Sequence, residues 1–103
     1  MANYFLYILS SRHHQHLSIG VTADLALGIK NHRLMVSRRL KKRRVLQKLV
    51  YVETISSADE AVNREFLLNR WPRREICNLV ESVNPAWDTI SVSQLVHAGF
   101  DSR

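Results

Sequence analysis

Two short runs of strand-forming residues constrain this chain more than any other feature: Tyr4-Phe5-Leu6-Tyr7-Ile8-Leu9 and Leu17-Ser18-Ile19-Gly20-Val21-Thr22. The first is aromatic and β-branched and ends at Ser10-Ser11, as a buried strand does. Only the polar stretch Arg12 to His16 separates the two, so they are expected to pair as an antiparallel hairpin. Lys48-Leu49-Val50-Tyr51-Val52-Glu53-Thr54 reads as a third strand. An antiparallel sheet is therefore the base on which the rest must pack.

Helical periodicity fills the intervals. Thr22 or Asp24 caps a helix running to about Met35, with Leu25, Ile29 and His32 on one side. Gly28 lies inside it, where glycine costs roughly 1 kcal/mol against alanine, so the position needs a separate reason. Ser57-Ala58-Asp59-Glu60 has the form of a capping box opening a helix to about Arg70. Pro72 suits the first turn of another, which reaches about Ser82 and stops at Asn84-Pro85. Beyond it, Val92, Leu95 and Val96 form a weak amphipathic turn or two. The expected fold is an α+β domain with a three-stranded antiparallel sheet flanked by helices, in the order β-β-α-β-α-α. Residues 1–90 make the domain, and 91–103 a C-terminal tail packed on it or free of it.

With 103 residues there is room for one domain and a thin core. The formal net charge of +6 is concentrated: Lys30, Arg33, Arg38, Arg39, Lys41, Lys42, Arg43, Arg44 and Lys48 fall in a stretch without an acidic residue. Such clustering points to DNA or RNA, with a solvated helix end or an acidic protein partner as the other readings. The single cysteine, Cys77, excludes an internal disulfide and reads as a small buried hydrophobe. His13, His14 and His16 on one turn make a poor metal site. No stretch is long and apolar enough for a membrane span, and the N-terminus lacks the basic start of a signal peptide. A cytoplasmic protein without a membrane partner is expected; the oligomeric state is open.

In order along the chain, Tyr7, Ser18-Ile19-Gly20, Thr22-x-Asp24-Leu25, Asn31-His32-Arg33, Leu49-Val50-Tyr51-Val52-Glu53, Ala61-x-x-Arg64-Glu65, Trp71-x-Arg73, Leu79-Val80-Glu81 and Asn84-Pro85-x-Trp87 resemble the GIY-YIG nuclease family, in particular its short stand-alone bacterial branch. No piece is specific alone; the ordered set with its spacing carries the resemblance. It implies an endonuclease fold and a phosphodiester hydrolase assisted by Mg²⁺ or Mn²⁺. Glu65 would be the metal ligand, on a helix side shared with Ala58, Ala61 and Val62. Tyr7 would position or deprotonate the attacking water, His32 orient it or contact phosphate, and Asn84 hold the geometry from behind. Each has a structural alternative: Tyr7 as a core aromatic, His32 as a cation favoured by the helix dipole, Asn84 as a helix C-cap, Glu65 in an ion pair. The clustered charge makes Arg33, Arg38, Arg39, Lys41, Lys42, Arg43 and Arg44 the candidate nucleic-acid contacts.

Two family positions depart. Ser18 stands where the family has its second tyrosine, and Gly28 where it has an arginine four residues before the histidine. A basic pair after the tryptophan is replaced by Glu75-Ile76. The resemblance thus implies nucleic-acid binding with hydrolysis impaired or lost; an active enzyme with a rearranged site and a non-enzymatic adaptor are the alternatives. Lys30, Arg33 or Lys41 is a candidate substitute for the missing guanidinium. An arginine at position 28 is expected to be tolerated, since it is a better helix former than glycine.

Overall fold

The computed structural model describes residues 3–40, 46 and 48–97. Strand β1 (Tyr4–Ser10) lies between β2 (Leu17–Thr22) and β3 (Lys48–Ile55), antiparallel to both. Its central place explains its composition. Phe5, Leu6, Tyr7, Ile8 and Leu9 are all buried, because helices cover both faces of the sheet. Each apolar side chain so buried contributes about 1.5–3 kcal/mol of transfer free energy. The expected α+β order is present: helix α1 (Leu25–Leu40) follows the hairpin, and α2 (Ala58–Leu68) and α3 (Arg73–Val83) follow β3. A short α4 (Val92–His97) closes the described chain.

Strand alternation sorts the core into two halves. Phe5, Tyr7 and Leu9 face Leu25 and Ile29 of α1, with Val92 and Leu95 of α4 packed on the same cluster. Leu6 and Ile8 point the other way, toward Leu68 of α2 and Ile76 and Val80 of α3. Strand β3 breaks the alternation at one place. Ile8 pairs with Tyr51 and Leu9 with Leu49, so Val50 is an extra residue in a β-bulge. Both Val50 and Tyr51 consequently pack toward α2 and α3.

Helix α1 runs to Leu40, a turn beyond the expected end near Met35. Val36 still packs on the first core cluster, and Arg38 and Arg39 in the last turn suit the negative end of the helix dipole. At its start Asp24 Oδ1 accepts from the Leu27 amide at 3.1 Å, and Thr22 Oγ1 accepts from the Asp24 amide at 3.1 Å. Ser57 Oγ caps α2 by accepting from the Glu60 amide at 3.1 Å. The Glu60 carboxylate accepts from the Ser56 hydroxyl at 3.3 Å, a variation on the reciprocal box. Pro72 is the N-cap of α3 and precedes its first turn.

The glycine inside α1 has a steric reason. A Cβ built on Gly28 would stand 2.5–2.8 Å from the side-chain atoms of Thr22, a residue of β2. Helix and strand approach too closely there for any side chain, and Thr22 is too short to swing away. The expectation that arginine is tolerated at 28 is therefore corrected: helix propensity favours it, but tertiary packing forbids it. Gly28→Ala should lose about 1–3 kcal/mol to overpacking, outweighing the gain of about 1 kcal/mol from propensity. Urea denaturation would read the difference, and a rise in the midpoint would show that the contact is loose.

Candidate functional site

The face of the sheet toward α1 is lopsided. On β1 it carries Phe5, Tyr7 and Leu9; on β2 the paired positions are Thr22, Gly20 and Ser18, all small. The resulting hollow is filled from the helix by His32, one turn beyond Gly28 on nearly the same side. Gly20 makes the meeting possible. A Cβ at that position would lie 2.4 Å from Tyr7 Oη and 2.8 Å from His32 Nδ1, so any other residue would push the pair apart.

Both nitrogens of the half-buried imidazole are engaged by hydroxyls. His32 Nδ1 lies 2.8 Å from Tyr7 Oη, and His32 Nε2 lies 2.6 Å from Ser18 Oγ. The rings of Tyr7 and His32 meet edge to face with centroids 5.5 Å apart. Tyr7 Oη also donates to the Gly28 carbonyl at 3.4 Å. Burial lowers the His32 pKa, so the ring is neutral at neutral pH. Tyr7 is pushed up to about 12, first by burial and second by the negative charge of Glu65.

Glu65 therefore stands within electrostatic reach of the phenol. It is half-buried on α2, and desolvation raises its pKa. Among the described residues the ion pair on this helix belongs to its neighbour: Arg64 Nε meets Glu53 Oε2 at 2.8 Å. Tyr51 donates to the same carboxylate at 2.6 Å, so β3 braces α2 through Glu53 at Arg64, one residue before Glu65. Val62, expected beside Glu65 on an apolar side, is 57% exposed; the apolar stripe of α2 is narrower than the sequence suggests and is held by Ala61 and Leu68.

Asn84 plays a part in the frame. As the C-cap of α3 it donates from Nδ2 to the Val50 carbonyl at 2.9 Å and to the Asp88 carbonyl at 3.0 Å. The bulge turns the Val50 carbonyl out of regular pairing, and Asn84 satisfies it.

Lys30 and Arg33, the candidate substitutes for an arginine at position 28, lie away from the His32 side of α1. At about 100° per residue they sit roughly 160° and 100° around α1 from His32. They line instead a groove with Ile29, Leu34, Ser37 and Val92. Arg33 is half-buried there, and desolvation lowers its pKa. Arg38 and Arg39 are exposed on the last turn of α1, open to an anionic partner. Lys41, Lys42, Arg43 and Arg44 lie outside the described residues.

Of the turn histidines, His14 stacks on Trp87 with centroids 4.4 Å apart, and its Nε2 is 3.3 Å from Lys48 Nζ. It joins the hairpin to the segment after α3. Among the described residues no group of three or more His, Cys, Asp or Glu is gathered for a metal, and no helix is long and apolar enough to cross a membrane. Cys77 is half-buried at the margin of the second core cluster.

No protein-family model matches the chain, and no curated protein does. Among solved structures it is similar to the solution NMR structure of the UPF0213 protein BH0048 from Bacillus halodurans, at 25% identity and a TM-score of 0.54. The likeness covers 82% of this chain and 89% of that one. It relates the chain in fold to a protein with a GIY-YIG-like architecture.

The state of Glu65 gives a test. Because its folded pKa is raised, the protonated form is favoured by folding. That stability is present below the usual carboxylate pKa of 4.5 and is lost as pH rises through the folded value. At pH 7 the ionised group is a standing cost. Glu65→Gln should therefore raise the melting temperature at pH 7 in chelator-treated buffer, with the advantage fading toward pH 3. A lower melting temperature at pH 7 would mean that the carboxylate has a stabilising partner.

Proposed function

We propose that this chain is a GIY-YIG-type domain that binds nucleic acid and in which metal-assisted phosphodiester hydrolysis is impaired or lost. The observation that carries this reading is the hydrogen-bonded contact of Tyr7 with His32, with Glu65 in electrostatic reach, beside a helix position closed to arginine by Thr22.

The residues fit a magnesium ion of the sparsely ligated kind. Glu65 is desolvated and has no described cationic partner, and a single carboxylate suffices for an ion that keeps most of its waters. Bound there, Mg²⁺ or Mn²⁺ would polarise a phosphoryl oxygen. Tyr7 and neutral His32 would orient a water and hold its proton, His32 being able to accept one at neutral pH. What is missing is the second phosphate clamp. Losing one positioned donor typically costs about 10²–10³ in rate. Here both the tyrosine replaced by Ser18 and the arginine replaced by Gly28 are absent.

Binding would rest on the basic segment. Arg38 and Arg39, on the last turn of α1, are followed in the sequence by Lys41, Lys42, Arg43 and Arg44, a run suited to successive phosphates and indifferent to base sequence.

Two measurements test the reading together. Affinity for duplex DNA should fall steeply with salt. Neutralising Arg38, Arg39, Lys41 and Lys42 should weaken binding for all sequences alike and flatten the log-log salt slope by about 0.9 per lost contact. Supercoiled plasmid incubated with Mg²⁺ or Mn²⁺ should be nicked no faster by the natural protein than by its Glu65→Gln variant. Glu65-dependent nicking would show an active enzyme with a rearranged site. Binding indifferent to salt and to the four charges would favour the adaptor.

A further inference from the structure

The residue that replaces the family's second tyrosine is itself placed for chemistry. Ser18 Oγ lies 2.6 Å from His32 Nε2, while His32 Nδ1 lies 2.8 Å from Tyr7 Oη. A hydroxyl on one ring nitrogen and an orienting oxygen on the other is the arrangement by which a histidine activates a nucleophile. The proton directions can be followed along the chain. Tyr7 has one hydroxyl proton, and the Gly28 carbonyl is at hand to accept it at 3.4 Å. Tyr7 Oη then receives the Nδ1 proton of His32. In a neutral ring Nε2 is left as the acceptor, and Ser18 must donate to it. That is the tautomer in which imidazole acts as a base toward serine.

We infer that Ser18 is a nucleophile toward phosphorus, with His32 as its general base and Tyr7 as the positioning residue that fixes the histidine tautomer. Ser18 is partly exposed at the margin of the hollow, whereas Tyr7 is buried behind it, so an electrophile meets the serine first. With a phosphodiester the step would proceed in line. The Ser18 Oγ–P bond forms as the P–O bond to the leaving nucleotide breaks. The serine proton passes to His32 Nε2, and the departing alkoxide, on the far side of phosphorus, takes its proton from water. In the second half the hydroxide so formed attacks phosphorus opposite the serine, and protonated His32 returns its proton to Ser18 Oγ as the seryl ester breaks. Atoms and charge balance without an oxidant or reductant. This route differs from activation of water and uses the residue whose presence impairs that activation. The choice of a nucleic-acid phosphodiester as substrate rests on the reading proposed above; the reactivity of the serine does not.

A fluorophosphonate probe separates the two claims. It presents a phosphorus electrophile with fluoride as leaving group, which needs no cation on the phosphoryl oxygens. Intact-mass and peptide analysis should find one adduct, on Ser18. The adduct should be absent in Ser18→Ala, and its rate of formation should fall at least a hundredfold in His32→Gln and about tenfold in Tyr7→Phe. Each variant is first compared with the natural protein by circular dichroism. Long-range ¹H–¹⁵N spectra of the natural protein should show His32 protonated on Nδ1, and Tyr7→Phe should shift that tautomer balance, which a purely structural role would leave in place. The tautomer reading does not depend on whether His32→Gln folds. No adduct on Ser18, equal labelling with and without His32, or a ring protonated on Nε2 would each overturn the inference. Labelling of Ser18 by a protein that fails to bind DNA would leave the nucleophile standing and remove the nucleic-acid reading.

Discussion

Helix α1 lies against strand β2 at a distance that only glycine permits, and the site is built on that approach. Gly20 on the strand leaves room for the Tyr7 ring and the His32 imidazole to meet. Gly28 on the helix lets the backbone close on Thr22. Were either side chain larger, α1 would lift from the sheet, and the hydrogen bonds at both nitrogens of His32 would be lost together. The helix-propensity cost of Gly28 is thus balanced by a contact between elements, a case in which tertiary packing overrides local preference.

The remaining elements hold that contact in place. Strand β1 is buried on both faces, so its alternation divides the core into an α1 side and an α2/α3 side without ambiguity. The bulge at Val50 turns one carbonyl aside, and Asn84 ties the end of α3 to it. The Tyr51–Glu53–Arg64 network binds α2 to β3, and Glu65 is the next residue on that helix. Glu65 itself is left desolvated, which is unfavourable for a carboxylate and is the kind of cost that functional sites carry. The charged groups divide accordingly. The ion pair that braces α2, Arg64 with Glu53, is partly buried, while Arg38 and Arg39 at the end of α1 are exposed.

Substitutions in such a site change more than the group removed. Ser18 brings an aliphatic hydroxyl to one nitrogen of the histidine whose other nitrogen the phenol of Tyr7 already meets. Gly28 carries no side chain and lets the helix settle near the strand. The two residues are compatible with each other, since the short Ser18 needs His32 close and Gly28 allows it to be close. Any side chain at position 28 would have to displace Thr22.

What the sequence by itself determined is the scaffold. The three strands, the hairpin, the capped starts of α1 and α2 and the order of elements follow from period-2 and period-3.6 patterning and from turn chemistry, which act over a few residues. Ser18, Gly28, His32 and Glu65 could be singled out as positions, because a resemblance of ordered motifs marks positions. Their partners could not. The sequence suggested an earlier end to α1, an apolar neighbour for Glu65 in Val62, and tolerance of arginine at 28. Each of these depends on which atoms of a distant element lie opposite, and no local pattern carries that information. Only the tertiary structure decided that Ser18 reaches His32, that Lys30 and Arg33 turn into another groove, and that Thr22 fills the space beside Gly28. These are contacts between residues close in space and separated along the chain, set by how far one helix can sink onto one strand.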